Sequence, residues 1–495
     1  MLVRGDAAAL AVTVDRRGAT PLYVQLYQQF RDLILSGRLG AGACLPSSRA
    51  LAAELGVSRT VVVQAVEQLS SEGFVEGRVG AGTFVPEVLP EPPRGGGGVG
   101  RRVSSHGRVP PVLSHFAEGL QPDATASAPA PRAFHPGLPE TELFPFDVWG
   151  RLMARHWRRP PAALLSSDSA AGYGPLREAI AEHLRSLRGL DCTASQVVVT
   201  SSAREAVTLI ARLTLDPGDW AWIENPGYPA IRHALAAAGA RLAAVPVDGE
   251  GLSVAAGQEM APRARLAVVT PSRQFPLGPA MSLARRLALL QWAGEVGAWI
   301  VEDDYDSEYR YAGPPVSALQ SLDEAGRVIY LGSFTKVLFR NLRLGYLVVP
   351  EAVVRPLLRL RRELGEAPSV AAQPTLAEFI VSGRFAQHIR RMRRLYASRQ
   401  AALLAALDRH ARGLLEAERQ DGGMHLVARL SSALAARSND REIEAHAFAQ
   451  GVSAPALSTY YIGEARQQGL LLGYAGVDES EIDRAARRLV AALDD

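Results

Sequence analysis

Lysine is almost absent from this chain of 495 residues: of its 54 basic residues, only Lys336 is not arginine. Cysteine is nearly absent as well. Cys44 and Cys192 lie far apart, and neither stands at a metal-ligand spacing. That excludes a disulfide framework and a zinc ribbon, and points to a reducing cytoplasm. No run of about 18 uncharged apolar residues occurs, so no transmembrane helix is indicated. The apolar patch from Ala7 to Val14 lacks a basic start and a small-residue cleavage site, which makes it a poor signal peptide. A formal net charge of +3 is too small for nucleic-acid binding by the whole surface, so any contact with DNA has to be local.

What is present is ample apolar material, 47% of residues, in a chain too long for one ordinary domain. Three segments differ in composition. Residues 17–86 read as one compact unit. Residues 87–132 carry Pro90, Pro92, Pro93, four consecutive glycines from Gly95 and the pair Arg101-Arg102, and read as a flexible linker. Residues 133–495 alternate short β-branched runs with longer helical patterns. Examples are Val197 to Thr200, Trp220 to Ile223, Leu266 to Thr270, Trp299 to Val301, Val328 to Leu331 and Leu344 to Val349. Strands separated by helices predict a largely parallel α/β sheet in one large domain, ending in an amphipathic helix from Glu479 to Leu493.

In the first unit, Leu22, Leu26, Phe30, Leu33 and Ile34 recur at helical spacing from Pro21 to Ser36. Ser47 and Ser48 cap a second helix from Arg49 to Leu55, which Gly56 ends. Ser58 caps a third, with Val62, Ala65, Val66 and Leu69 facing inward. Gly73 to Val75 and Thr83 to Val85, joined by a glycine-rich turn, predict a two-stranded wing. A Ser/Thr-rich helix N-terminus suits phosphate, and arginine reads guanine edges.

The lysine has a distinct chemistry. Arginine stays protonated near neutral pH and cannot attack an aldehyde carbon, whereas a desolvated lysine can. In a chain that uses arginine wherever charge alone suffices, Gly332-Ser333-Phe334-Thr335-Lys336, with Arg343 seven residues on, marks an anchor for an aldehyde cofactor. Other motifs precede it. Thr200-Ser201-Ser202-Ala203 leads from a strand into a helix and presents N–H groups and hydroxyls to an anion. Tyr228 follows a strand and offers an aromatic face. Asp303, Asp304 and Tyr305 end a buried strand, where α/β sheets place their ligands.

The motifs Leu45 to Arg49, Leu51 to Arg59, Ala65 to Leu69, Glu72 to Phe74 and Gly80 to Phe84 resemble the winged helix-turn-helix of GntR-type regulators. The later motifs, in order from Gly172-Tyr173-Gly174 to Arg343, resemble a fold type I pyridoxal-phosphate aminotransferase domain. Together the chain is similar to the MocR/GabR subfamily of GntR transcriptional regulators. That resemblance implies that Arg49 clamps phosphate, that Ser58, Arg59 and Thr60 enter the major groove, and that Arg78 and Gly80 sit on the wing. It implies that Lys336 forms a Schiff base with pyridoxal 5'-phosphate, that Asp303 pairs with the ring nitrogen, and that Tyr305 holds the phenolic oxygen. Tyr228 would stack on the ring, and Ser202, Ala203, Ser333 and Arg343 would hold the phosphate. It further implies a small C-terminal α+β subdomain, and a cytoplasmic, domain-exchanged homodimer on operator DNA, responding to an amine or amino acid.

The chain departs from the family's usage at several positions. Val61, Val63 and Val66 make the recognition helix unusually apolar. Phe275 stands for an Asn, Arg273 for a His, and Ser167 for a Tyr that reaches the partner subunit's phosphate. The phosphate turn reads Ser202-Ala203-Arg204. The last strand, Gly469 to Gly473, lacks the arginine that grips a substrate carboxylate. The cofactor pattern is intact while the substrate grip is missing. This favours a cofactor-dependent regulator over the alternative, a working aminotransferase that carries a DNA-binding domain.

Overall fold

The computed structural model describes residues 12–78, 81–89, 112–118, 133–160, 164–165, 170–313 and 316–494. Most of the expected linker, together with Gly80 and Ser167, lies outside the described residues. The chain divides into two compact units, Met1–Val112 and Leu113–Asp495.

The first unit has helices at Leu22–Leu35, Ser48–Leu55 and Arg59–Ser71, then strands β1 (Glu76–Arg78) and β2 (Gly82–Phe84). The expected caps are in place: Ser47 accepts from the Ala50 N–H and Ser58 from the Val61 N–H. Gly56, at φ 65°, ends the second helix in the left-handed conformation that favours glycine. Leu26, Phe30, Leu51, Val62 and Leu69 close the core between the three helices, while Val66 is half-buried. The wing differs from expectation. Its first strand begins at Glu76, because Phe74 and Val75 donate their N–H groups back to Leu69 O and bury their side chains. The second strand also pairs outward: Val85 N–H bonds to Ala43 O and Leu45 N–H to Thr83 O.

The second unit is built on an eight-stranded sheet in the order β3-β10-β9-β8-β7-β4-β5-β6. The strands are β3 (Val197–Thr200), β4 (Trp220–Asn225), β5 (Arg241–Asp248), β6 (Gly251–Leu252), β7 (Leu266–Val269), β8 (Trp299–Asp304), β9 (Val328–Ser333) and β10 (Gly345–Val348). The central strands β5, β4, β7, β8 and β9 are parallel. The sheet is largely parallel, as expected, with two exceptions. β6 turns back on β5, and β10 runs antiparallel to both β3 and β9. The connection from Ser333 to Gly345 is too short for the helical crossover that parallel strands need, so β10 returns antiparallel. β3, β7 and β10 are buried along their whole length under helices on both faces, as sheets of this kind require.

A three-stranded antiparallel sheet, β11 (Leu415–Ala417), β12 (His425–Leu430) and β13 (Gly469–Gly473), forms the small subdomain. The helices Arg384–His410 and Glu479–Asp494 pack together beside it. Phe385, Ile389, Met392, Tyr396, Leu403 and Leu407 make the buried stripe of the longer helix at helical spacing. Elsewhere, Trp222 on β4 stacks on Trp292 at 3.7 Å between ring centroids, and its indole N–H donates to Ala261 O. Gly257 faces this stack, where a Cβ would lie 2.8 Å from the Trp222 ring. Gly257→Ala therefore forces the Trp222 ring out of its place in the stack. The expected cost is about 1–3 kcal/mol in chemical denaturation, with a change in the near-UV circular dichroism of the tryptophan pair.

Candidate cofactor site and DNA-binding face

On the DNA-binding unit, Arg49, Ser58, Arg59 and Thr60 are all exposed. Arg49 lies in the first turn of the helix Ser48–Leu55, and Arg59 opens the recognition helix. The Arg59 Nε lies 3.4 Å from Ser48 Oγ, which brings the starts of the two helices together. Arg78 leaves the wing above the Phe84 ring and bonds Glu76 at 2.7 Å. That pair is solvent-exposed, so it holds Arg78 weakly. Three hydroxyl or guanidinium groups at the start of one helix match what phosphate and guanine require.

In the second unit, the sequence-predicted residues come from strands far apart in the chain. Asp303 ends β8, Ser333 ends β9, and Lys336 lies in the turn that follows. The Lys336 Nζ stands 4.4 Å from the centroid of the Tyr305 ring, and 5.5 Å from both the Tyr228 and Phe275 rings. An ammonium so placed is held by aromatic faces on several sides. Gly137 approaches from another direction, where a Cβ would lie 3.7 Å from Lys336 Cε.

β10 brings the remaining parts together. Gly345 is registered against Thr200 on one side and Ser333 on the other. The turn Ser201–Ala203, Ser333 and Arg343 therefore share one edge of the sheet. Ser202 caps the helix Ala203–Thr214 by accepting from Glu205 N–H, and the first N–H groups of that helix have no carbonyl partner within it. Arg343 is exposed in a left-handed conformation (φ 49°, ψ 50°) and bonds no described residue.

Sequence reasoning missed how this turn is held. Glu205 accepts the Ser201 N–H at 2.5 Å and is itself gripped by Arg361 at 2.8 Å. Arg361 is fully buried and also donates to Ala170 O and Val199 O. It also missed Phe275, whose ring meets Tyr228, Tyr305, His425 and Tyr460 edge-on at 5.3–5.7 Å. Neither the Arg361–Glu205 pair nor the ring contacts of Phe275 have a local sequence signal, since those partners lie 30 or more residues apart.

Strand alternation separates the two neighbouring aspartates. Asp304 points to one face, where Arg188 meets it at 2.7 Å and Ser307 and Tyr330 donate to it. Asp303 points to the other. It is 5% exposed, yet its carboxylate accepts no hydrogen bond from a described residue. Burial pushes it up to about 7, against the pull of the Lys336 ammonium. Burial likewise raises Glu224 and Glu302 to about 7 and Asp306 to about 6. An unpaired buried carboxylate fits a ligand that brings its own N–H, and the ring nitrogen of pyridoxal phosphate is such a group. The free helix start and Arg343 fit its phosphate.

Two family models match the chain: the gntR family of bacterial regulatory proteins over residues 22–85, and aminotransferase class I and II over residues 158–489. The probable rhizopine catabolism regulatory protein MocR of Rhizobium meliloti is 41% identical, over 97% of this chain and 96% of that protein. This chain belongs to the MocR-type regulators of the GntR family. The pyridoxine biosynthesis transcriptional regulator PdxR of Corynebacterium glutamicum is 32% identical over 96% of each chain. Among solved structures, the alpha-aminoadipate aminotransferase of Thermus thermophilus, complexed with N-(5'-phosphopyridoxyl)-L-leucine, covers 77% of this chain and 97% of its own. It has a TM-score of 0.69 at 29% identity. The MocR-type chain is thus a DNA-binding transcriptional regulator whose large unit is a pyridoxal-phosphate domain of aminotransferase fold. No helix among its described residues is long and apolar enough to cross a membrane.

Two outcomes test this geometry. Arg361→Leu leaves Glu205 without its cation and takes a donor from three carbonyls, and should cost about 3 kcal/mol in chemical denaturation. Asp303 tests the electrostatics. A carboxyl whose folded-state proton affinity is raised contributes stability below its unfolded pKa of roughly 4, and loses it as pH rises through about 7. In cofactor-free protein, the stability difference between the parent and Asp303→Asn should therefore shift against the parent from pH 4 to pH 8. A flat difference would show that Asp303 is already ionised and solvated.

Proposed function

We propose that the large unit senses pyridoxal phosphate, or its state with an amine or amino acid, and that this state re-aims the DNA-binding units on an operator. The observation that carries this reading is the meeting of the chain's one lysine, three aromatic faces and an unpaired buried carboxylate at one sheet edge. When bound, pyridoxal phosphate supplies an aldehyde that either Lys336 or a competing primary amine can engage.

The roles of the residues follow from their chemistry. Lys336 is the anchor. Asp303 accepts the ring N–H, and the ion pair so formed offsets the cost of its burial. Tyr305 donates to the phenolic oxygen, and Tyr228, 38% exposed at the mouth, covers the ring face. Ser202, Ala203, Ser333 and Arg343 hold the phosphate, with Arg343 offering several donors to a dianion. On DNA, Arg49 grips phosphate, Ser58, Arg59 and Thr60 reach into the major groove, and Arg78 and Gly80 serve the wing. A homodimer places two such units on paired half-sites, and a domain-exchanged arrangement suits the family. A DNA target also places the protein in the cytoplasm.

Regulation needs the freed and the anchored lysine to favour different conformations, since a ligand shifts an equilibrium only by its differential affinity. The second reading, a working aminotransferase, is favoured by Lys336, Asp303 and Tyr305 being assembled. Against it, β13 is buried throughout and carries no arginine for a substrate carboxylate.

Purified protein should be yellow, with a visible band that Lys336→Ala abolishes; failure to bind the cofactor at all would sink the reading. Candidate amines and amino acids should change that band and the mobility of DNA from upstream of the gene, with negligible keto acid formed. Sustained keto-acid production would favour the enzyme instead. Footprinting of the same DNA with and without pyridoxal phosphate should show protection that depends on the cofactor.

A further inference from the structure

Arg273 stands directly behind the cofactor wall and is 8% exposed. Its Nη1 donates to Tyr305 Oη at 2.9 Å and to Asp306 Oδ2 at 3.1 Å. Its Nη2 donates to His425 O on β12 at 2.7 Å. The guanidinium lies flat against Gly423, where a Cβ would sit 2.4 Å from its Cζ. Three acceptors and a glycine slot leave it one position. Its far side lines a cleft of about 720 Å³ between the loops after β5, β7 and β8 and residues 418–423.

We propose that Arg273 is a positioning residue that commits the Tyr305 hydroxyl to donate toward the cofactor, and so sets the pH at which the bound cofactor changes colour. The proposal rests on the reading of Lys336 as the cofactor anchor. The argument is one of hydrogen-bond inventory. A phenol oxygen has one proton to give and lone pairs to accept with. Arg273 has no proton acceptor to offer and takes up a lone pair of Tyr305. The Tyr305 proton is therefore left for another acceptor, and the phenolic oxygen of the bound cofactor is such a group.

The charges around this point are Asp303, Asp306, Arg273 and Lys336. His425 is held neutral, because burial and then Arg273 and Lys336 drive its proton affinity well below the usual range. Tyr311 and Tyr474 face Arg273 from the other side and hydrogen-bond each other at 3.1 Å. Burial raises Tyr305 well above the ordinary phenol value, and the Arg273 cation opposes this. A more acidic hydroxyl is a stronger donor. It stabilises a negative phenolic oxygen on the cofactor, which lets the neighbouring nitrogen lose its proton at lower pH.

The test is a pH titration of the visible band in full-length holoprotein. Arg273→Met removes the guanidinium and keeps an unbranched apolar stem. It should raise the midpoint by about one pH unit or more. Gly423→Ala pushes the guanidinium off its acceptors without removing its charge, and should shift the midpoint the same way. Arg273→Lys keeps the charge with a shorter reach and should recover part of the shift. A role in packing alone would change thermal stability and leave the midpoint where it was. Unchanged midpoints in Arg273→Met and Gly423→Ala would overturn the inference and leave the anchor reading standing. Should Arg273→Met not fold, unchanged midpoints in Gly423→Ala and Arg273→Lys overturn it equally. A wild-type protein that stays colourless with pyridoxal phosphate would overturn both.

Discussion

One strand direction organises the large unit. β10 runs antiparallel between β3 and β9, and its first residue, Gly345, is registered against Thr200 and Ser333 at once. The fit leaves no room for side chains: a Cβ on Gly345 would lie 3.0 Å from Gly332 O and 3.1 Å from Thr200 Oγ1. A Cβ on Gly332 would overlap the hydroxyl end of the Tyr346 ring. The close approach sets the helix start at Ser202 beside Ser333 and Arg343, although more than 130 residues separate them in the chain. Arg361 and Glu205 then lock the turn from beneath. The proposed phosphate cradle is a consequence of strand pairing.

The electrostatics follow from a second regularity, the alternation of side chains along β8. Asp304 is paired with Arg188, and Glu302 accepts the N–H groups of Leu319 and Gln320. Asp303, on the opposite face from Asp304, is buried with no such donor. Burying a carboxylate without a partner is costly, so a fold that keeps one in this state keeps it for a ligand. The same economy explains Lys336. Its neighbours are ring faces, and Asp303, the acid the cofactor would claim, is one of two carboxyls that feel its charge.

The elements were legible wherever local rules decide them. Caps at Ser47 and Ser58, the left-handed Gly56 and the β-branched strands appear where helical and strand periodicity put them. The wing began later than its apolar Phe74 and Val75 implied, because those side chains serve the helical core rather than the strand. The direction of β10 was not visible in its composition, since parallel and antiparallel buried strands share the same residues. Arg273 looked like a departure from usage, and Phe275 like a missing asparagine. In space, the first ties Tyr305 to β12 and the second joins four aromatic or imidazole rings.

The sequence by itself determined the chemical inventory: a single amine among arginines, an acidic strand end, a hydroxyl-rich turn, and a winged helix-turn-helix ahead of them. Reactivity belongs to residue type, and local periodicity belongs to short windows, so both can be read along a chain. Only the tertiary structure decided which acid stays unpaired, which face Lys336 looks at, and what holds Tyr305. Those are matters of burial and of contacts across long separations, and no window of sequence contains both partners.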